Sequence, residues 1–218
     1  MIASPLRCAF LSASVAILLA MTAVPAAAQA PDRMHVSVGA AAGIAAPYHG
    51  DFDFTATSWQ ADVRVDTTRH FGFGVFLEEW RHSDERILTG QAITGPDGPL
   101  GRVDRVVITT DHRTRVLGWN LLARGTAARV TFSGGGGVSY LLYSRDFQQT
   151  LSGCDPASLC RDTSNEFDNS SFAAQIQAGI DVEVAPHVAV MGQFRALVPM
   201  QDPGGGHNTI VGGVRVGF

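Results

Sequence analysis

Four consecutive residues, His82-Ser83-Asp84-Glu85, combine a base, a nucleophile and two acids, which are the side-chain types of an acyl-transfer site. A catalytic triad needs its members to converge on one point, whereas adjacent residues of an extended segment point to opposite faces. We therefore interpret this segment as the start of a polar loop and assign no catalytic residue in it.

Charged side chains of both signs recur at alternate positions of several segments that are otherwise apolar. If those segments surround a narrow interior, the charges must pair there, because a buried charge without a partner is costly. An ion-pair network that fills the interior is the interpretation we favour, and a path for protons or ions is the alternative. The predicted network consists of Asp62, Arg64, Glu78, Asp181, Glu183, Arg195 and Arg215.

Two closely spaced cysteines, Cys154 and Cys160, lie in a polar segment. In an oxidising compartment such a pair most simply forms a disulfide, whereas zinc would need further ligands at suitable spacing. The glycine run 134–137 lacks the lysine of a phosphate-binding loop. The sequence thus predicts a disulfide, and we assign neither a metal nor another cofactor.

The first 30 residues are typical of a signal peptide. Arg7 precedes an apolar run from Cys8 to Ala23, and Ala28-Gln29-Ala30 supplies the small residues of a cleavage site after Ala30. An uncleaved anchor is the alternative. No later stretch reaches the roughly 18 to 20 apolar residues of a transmembrane helix. We therefore expect an exported chain whose mature domain covers 31–218.

The charge pattern argues against nucleic acid as a partner. All 16 basic residues are arginine, and the net charge of −4 is mild. Neither a basic patch nor an acidic tail is visible in this pattern.

Alternation of apolar and polar residues, rather than a helical period, dominates the mature segment. Short connections at 67–70, 125–126 and 185–187 alternate with longer ones at 48–53, 83–101, 150–165 and 200–207. Outer-membrane barrels show this asymmetry, with short periplasmic turns and long outer loops. The eight predicted strands are 34–46, 59–66, 71–82, 102–124, 127–149, 171–184, 188–198 and 208–218.

A soluble barrel or sandwich would show the same alternation, so the residue types on the polar face must distinguish a membrane barrel from a soluble protein. In 127–149 that face consists of small, mostly uncharged residues rather than the Lys and Glu of a water-exposed surface. Such residues suit a narrow barrel that is about as wide as its own side chains. We therefore predict an all-β fold, an eight-stranded antiparallel up-and-down transmembrane β-barrel without an open pore.

Two charges end apolar runs and set the expected height of the membrane. Glu79 and Arg115 each lie roughly 25 Å from their turns along tilted strands, which is the height of the apolar band. We predict both at the outer rim, facing lipid. The hairpin of 102–124 and 127–149 exceeds the roughly 9 to 11 residues needed to cross, so its far end should project from the cell.

The leader, the eight-strand rhythm over 31–218 and the ending at 209–218 resemble the small OmpA/OmpX-type outer-membrane barrels, and more loosely the outer-membrane protein W group. The resemblance implies that Val214, Val216 and the terminal Phe218 form the assembly signal. It also implies a bacterial outer-membrane location, with outer-membrane lipids, lipopolysaccharide and the outer-membrane assembly machinery as partners.

Three functions follow as hypotheses. The first is a non-enzymatic structural or surface-interaction role, in which the outer loops contact lipopolysaccharide, a host or neighbouring molecules; their composition names no ligand. The second is a narrow conduit for small hydrophobic compounds that leave through the side of the wall. The third is a lipid A-modifying hydrolase, because some small barrels of that kind carry Ser and His at the membrane's outer edge, where His82 and Ser83 would lie.

Overall fold

The computed structural model describes residues 34–47, 55–96, 98–200 and 206–218, and the predicted leader lies outside them. Within these ranges eight antiparallel strands form a closed barrel in chain order. A 3-10 turn at Ala157–Leu159 follows the fifth strand. The strands are β1 (His35–Pro47), β2 (Ala56–Asp66), β3 (Phe71–Gly95), β4 (Gly98–Ala127), β5 (Val130–Asp155), β6 (Thr163–Ala185), β7 (Val188–Pro199) and β8 (His207–Gly217). No helix of the described residues is long and apolar enough to cross a membrane.

The first and last strands close the ring. β1 and β8 pair antiparallel, from Ser37 opposite Gly217 to Pro47 opposite His207. The backbone N–H of Phe218 adds one more bond, to the carbonyl oxygen of Val36 at 2.8 Å. Because lipid offers no hydrogen bonds, this closure satisfies backbone groups that an open sheet would leave bare. The predicted all-β, eight-stranded architecture is confirmed.

Large apolar side chains point outward from the barrel wall. Leu77 and Leu117, which are opposite each other on β3 and β4, are both about half exposed. Soluble monomers rarely expose continuous apolar patches of more than a few hundred Å². A girdle of this kind surrounds the whole barrel and suits contact with lipid. Its members include Val38, Ile44, Val63, Phe71, Leu121, Phe172, Ile176, Val190, Val198 and Ile210.

Several strands are longer than the sequence predicted. The predicted loop 83–101 belongs almost entirely to β3 and β4, which pair from Phe71 and Ala123 to Gly95 and Gly98. The predicted loop 150–165 is also shorter, because β5 runs to Asp155 and β6 begins at Thr163. The prediction matched 102–124 with 127–149 but gave it a shorter partner, 71–82, on its other side. In the structure β3 extends beside β4 as far as Gly95, because β4 offers an edge with which Ile87 and Thr89, residues that favour a strand, can pair.

The turn between β4 and β5 also differs from the prediction. It falls at 128–129, where Ala128 has φ of 55°, whereas Gly125 and Thr126 lie in β4 opposite Phe132 and Thr131. The close approach of Gly135 and Gly137 to the backbone of β4 fixes the register between β4 and β5. In that register the turn lies three residues later than Gly125 indicates.

The predicted disulfide is present where β5 ends, in the connection from β5 to β6. Cys154 and Cys160 are bonded, with 5.5 Å between their Cα atoms, and they enclose the 3-10 turn. Gly101 lies beneath, and an added Cβ there would come within 2.5 Å of Leu159 and even closer to the carbonyl oxygen of Asp155. The disulfide therefore holds a short segment against the end of β4.

Removing this disulfide should loosen the tip and leave the barrel intact. Closing so short a loop stabilises by about 2 kcal/mol in the chain-entropy account, and the effect is local. In the variant with Cys154→Ser and Cys160→Ser, we expect limited proteolysis to cleave within 156–162 several times faster than in the wild type. The heat-induced gel shift should stay unchanged. Equal cleavage rates would contradict the assigned role.

Candidate functional site

The half of the barrel interior nearest the short turns holds a cluster of four charges. Arg215 binds Asp62 at 2.9 Å and Asp181 at 2.5 Å, and Arg64 binds Asp181 at 3.1 Å. The four side chains come from β2, β6 and β8, and all are buried or nearly so. Two arginines and two aspartates neutralise one another, as the sequence predicted for a crowded interior.

A layer of side-chain amides crosses the interior next to this cluster. Gln60 donates to Gln193 at 3.4 Å, Gln193 donates to Gln177 at 3.2 Å, and Asn120 donates to the same Gln177 oxygen at 2.9 Å. These residues belong to four different strands. The layer ties opposite walls together without adding charge.

A second ionic cluster centres on Glu78, whose side chain is 0 % exposed. Arg195 forms an ion pair with one carboxylate oxygen, and the Thr209 hydroxyl donates to the other at 2.7 Å. The His207 ring lies 3.6 Å from that second oxygen. The guanidinium of Arg195 also stacks 3.3 Å above the ring of Phe76, where cation–π attraction adds to the pairing.

An apolar layer fills the outer half of the interior. Phe76, Val116, Leu141, Ala173 and Leu197 are all nearly inaccessible and pack together. A second cluster of Ala45, Ala56 and Trp80 lies nearby. The central cavity measures only about 10 Å³, roughly the room for one water molecule. The interior of the described barrel is therefore filled rather than open.

Sequence reasoning missed this apolar layer. Leu141 and Leu197 occur on the faces that were counted as polar, since their neighbours at alternate positions are Ser, Gly, Gln and Arg. An isolated leucine among polar residues gave no periodic signal. The one signal that could have indicated the apolar layer is Gly118 on β4. Because this glycine has no side chain, it leaves the space that the Phe76 ring occupies.

Glu183 does not join the ion-pair network. It is exposed near the short-turn end of β6, beside a register shift between Glu183 and Ala185. It lines a cavity of about 220 Å³ at that end of the barrel. Among the described residues it forms no salt bridge, because the interior widens into this mouth.

The upper edge of the apolar band carries one carboxylate and three arginines, which we call the rim cluster. Glu79 binds Arg81 at 2.5 Å, Arg113 at 2.8 Å and Arg115 at 3.0 Å, all on the outer face. Glu79 and Arg115 both lie on the outer face at the end of the apolar girdle, and their place at the outer rim of the membrane stays a prediction. Of these two, only Arg115 is well exposed, since the arginines cover Glu79 down to 6 % exposure.

From the rim cluster outward, β3 to β6 continue as a four-stranded sheet, which we call the outer sheet. It comprises 82–95, 98–114, 143–155 and 163–170. β2 pairs with β3 only as far as Arg81, and β7 pairs with β6 only as far as Ala173. Within the described ranges, both long edges of the outer sheet therefore lack a neighbouring strand. At about 3.3 Å per residue, the β3 edge is on the order of 45 Å long.

Burial perturbs two titratable groups at the base of the outer sheet. It lowers the pKa of His112, helped by the positive charge of Arg145, and it raises the pKa of Tyr143. Both shifts favour the neutral forms. The His112 Nδ1 and the Tyr143 hydroxyl lie 2.7 Å apart, so a neutral hydrogen bond joins β4 to β5.

The residues His82-Ser83-Asp84-Glu85 lie in the regular part of β3 rather than in a loop. Each is opposite a residue of β4, from His112 to Thr109. Successive side chains of such a strand point to opposite faces, which keeps His82 and Ser83 apart. In the described part of the chain, no group of three or more His, Cys, Asp or Glu side chains could hold a metal ion.

The last residues lie on the outer face, as the sequence predicted for an assembly signal. Val214 and Val216 alternate along β8, and Phe218, directly after the strand, is the most exposed of the three at 73 %. All three lie at the short-turn end of the barrel. That the assembly machinery recognises these three residues stays a prediction.

Comparison with known proteins agrees with this geometry. The family model described as outer membrane protein β-barrel domain matches residues 14–218. A major outer membrane protein from Thermus thermophilus superposes with a TM-score of 0.56 at 11 % identity, over 85 % of this chain and 100 % of that one. The outer membrane protein OprG from Pseudomonas aeruginosa superposes with a TM-score of 0.51 at 12 % identity, over 86 % and 97 %.

None of the curated proteins compared with this sequence matches it. At such low identity, the two solved structures support the fold and say nothing about activity. The family match covers nearly the whole chain and agrees with the closed ring and its apolar girdle. This chain therefore belongs to the outer membrane protein β-barrel domain family and resides in the bacterial outer membrane.

Proposed function

We propose that this protein is a non-enzymatic surface-interaction barrel, and that the outer sheet is its contact surface. The observation that carries the proposal is the contrast between a filled interior and an outer sheet whose two edges lack a neighbouring strand in the described part of the chain. Unpaired N–H and C=O groups on such an edge can pair with a strand of another molecule. The disulfide stiffens the tip of this surface.

Photo-crosslinking in living cells tests the proposal. A photoreactive residue at Glu85 or Ser164 samples the two edges, and one at Thr68 in a periplasmic turn serves as the control. We expect adducts with surface or extracellular molecules from the edge positions. Adducts from Thr68 alone, or from no position, would contradict a contact role for the outer sheet.

A shortened hairpin provides the matched variant. Ser83 and Asp111 are directly opposite on β3 and β4, so Asn-Gly can replace 84–110 as a two-residue turn. The barrel should still fold, because the residues below Ser83 keep their partners. Adducts from Ser164 should decrease at least severalfold if both edges belong to one contact surface.

The conduit hypothesis predicts a different result, and the interior gives it no support. A central cavity of about 10 Å³ and the apolar layer above it leave no continuous path through the described barrel. In planar bilayers we expect no stable channel steps from the folded protein. Large, reproducible conductance would contradict a filled interior and would support the alternative of an ion path through the barrel.

A further inference from the structure

A groove of about 390 Å³ lies on the outer face of β4, β5 and β6, directly beside the rim cluster. Arg113 and Arg115 form one side of it, and Glu166 and Asp168 form the other. Arg113, Ser144 and Asp168 are opposite one another on three successive strands. The two charged sides are thus roughly 10 Å apart at the backbone.

The arginine side of the groove has donors to spare. Each of the three arginines places one nitrogen on Glu79, and one carboxylate cannot neutralise three cations. Arg113 uses only Nη2 and Arg115 only Nε for Glu79, so their remaining terminal nitrogens have no hydrogen bond among the described residues. A guanidinium with open donors is the side chain best suited to bind a phosphate oxygen in a bidentate manner.

The opposite side of the groove has the reverse charge. Glu166 and Asp168 are exposed and form no salt bridge within the described part of the chain. Asp146, opposite Glu166, adds a third carboxylate nearby, and like charges in this arrangement repel each other. A cation is the complement that this side lacks, and a purely anionic ligand would meet repulsion here.

The groove opens downward onto the apolar band. Leu142 lies between the two charged sides and is about half exposed. Directly below it on the outer face, the rings of Tyr140 and Phe172 pack with their centroids 5.3 Å apart. An apolar tail that continues from a polar head in the groove would lie against these rings.

We propose that this groove binds the head group of an outer-leaflet lipid that carries both a phosphate and a primary amine, as phosphoethanolamine does. The phosphate binds Arg113 and Arg115, the ammonium binds Glu166 and Asp168, and the acyl chains lie on Leu142, Tyr140 and Phe172. The acidic side of the groove lies on β6, which also forms one edge of the outer sheet. The groove uses side chains on the outer face, whereas a strand added at an edge would pair with backbone groups, so the lipid site does not depend on an edge partner.

Native mass spectrometry of the folded, delipidated protein in a neutral detergent tests the site. The probes are phosphatidylethanolamine, phosphatidylglycerol and phosphatidylcholine with identical acyl chains. We expect phosphatidylethanolamine to bind about tenfold more tightly than the other two lipids, because only its primary amine can donate a charge-assisted hydrogen bond to the carboxylates. Equal binding of all three lipids would overturn the proposal.

Variants of the two sides separate the contributions of phosphate and amine. Arg113→Gln with Arg115→Gln should weaken binding of both phosphatidylethanolamine and phosphatidylglycerol about tenfold. Glu166→Gln with Asp168→Asn should weaken phosphatidylethanolamine alone and leave phosphatidylglycerol unchanged or tighter. An acid variant that changes neither lipid would refute the amine contact.

Two controls keep the result interpretable. Arg69→Gln with Arg129→Gln removes the same charge from periplasmic turns and should change no affinity. If the Arg113→Gln and Arg115→Gln variant fails the heat-shift test of folding, Arg113→Lys with Arg115→Lys replaces it. The lysine variant should bind both lipids less tightly than the wild type, because an ammonium group cannot bind a phosphate in the bidentate manner of a guanidinium. Complete displacement of the lipid by equimolar soluble phosphoethanolamine would overturn the assignment to a membrane lipid.

Discussion

Replacing Arg195 by methionine should lower the free energy of unfolding by about 3–5 kcal/mol, because it leaves the carboxylate of Glu78 buried without its cation. Both side chains are essentially inaccessible, at 2 % and 0 % exposure. The substitution also removes the cation–π contact with Phe76. Urea-induced unfolding in lipid vesicles, followed by tryptophan fluorescence, measures the change.

The double variant decides whether the unpaired charge causes the loss. With Glu78→Gln added, the residue at position 78 is neutral and can still accept the hydrogen bond from Thr209. We expect most of the stability to return, to within about 2 kcal/mol of the wild type. A double variant no more stable than Arg195→Met alone would show that packing, rather than charge pairing, accounts for the effect.

Replacing Gly137 by alanine should destabilise the barrel by about 1–3 kcal/mol or more, since the added methyl group has no room. A Cβ at this position would clash with the carbonyl oxygen of Trp119 and would lie 2.7 Å from the Cα of Asn120. Both are backbone atoms of β4, so they cannot move aside as a flexible side chain would. The same urea experiment measures the loss.

Gly212 provides the matched control on β8. The nearest atom to a Cβ there is the carbonyl oxygen of Met191 at 3.9 Å, an ordinary contact. Gly212→Ala should leave the free energy of unfolding unchanged, or raise it by up to about 1 kcal/mol, because alanine lowers the conformational entropy of the unfolded chain. Similar losses from both substitutions would contradict close strand approach as the role of Gly137.

The strand count, the two faces and the closing pair could be predicted because alternation is a local property of the chain. Phe172 and Ile176 need only their own neighbours to reveal which face they share. The ion pairs of Arg195 and Arg215 were partly predictable for the same reason. Once the strands close into a narrow ring, charges of both signs on the inner face must meet.

The outer sheet and the rim cluster could not be predicted in this way. The Gly, Pro and Asp residues of 83–101 predict a loop, although Ile87 and Thr89 favour a strand. What decides its structure is the length of β4 beside it, which is a non-local requirement. Likewise, Arg81 and Arg113 converge on Glu79 only through the register of β3 and β4.

Cysteine labelling on intact cells tests the central claim, that the barrel projects the outer sheet from the cell surface. Glu85→Cys and Ser164→Cys should react with a membrane-impermeant maleimide, while Thr68→Cys should react only after the outer membrane is permeabilised. The native Cys154 and Cys160 stay silent in their disulfide. Labelling of Thr68→Cys on intact cells, with Glu85→Cys and Ser164→Cys protected, would contradict the assigned orientation and the function proposed from it.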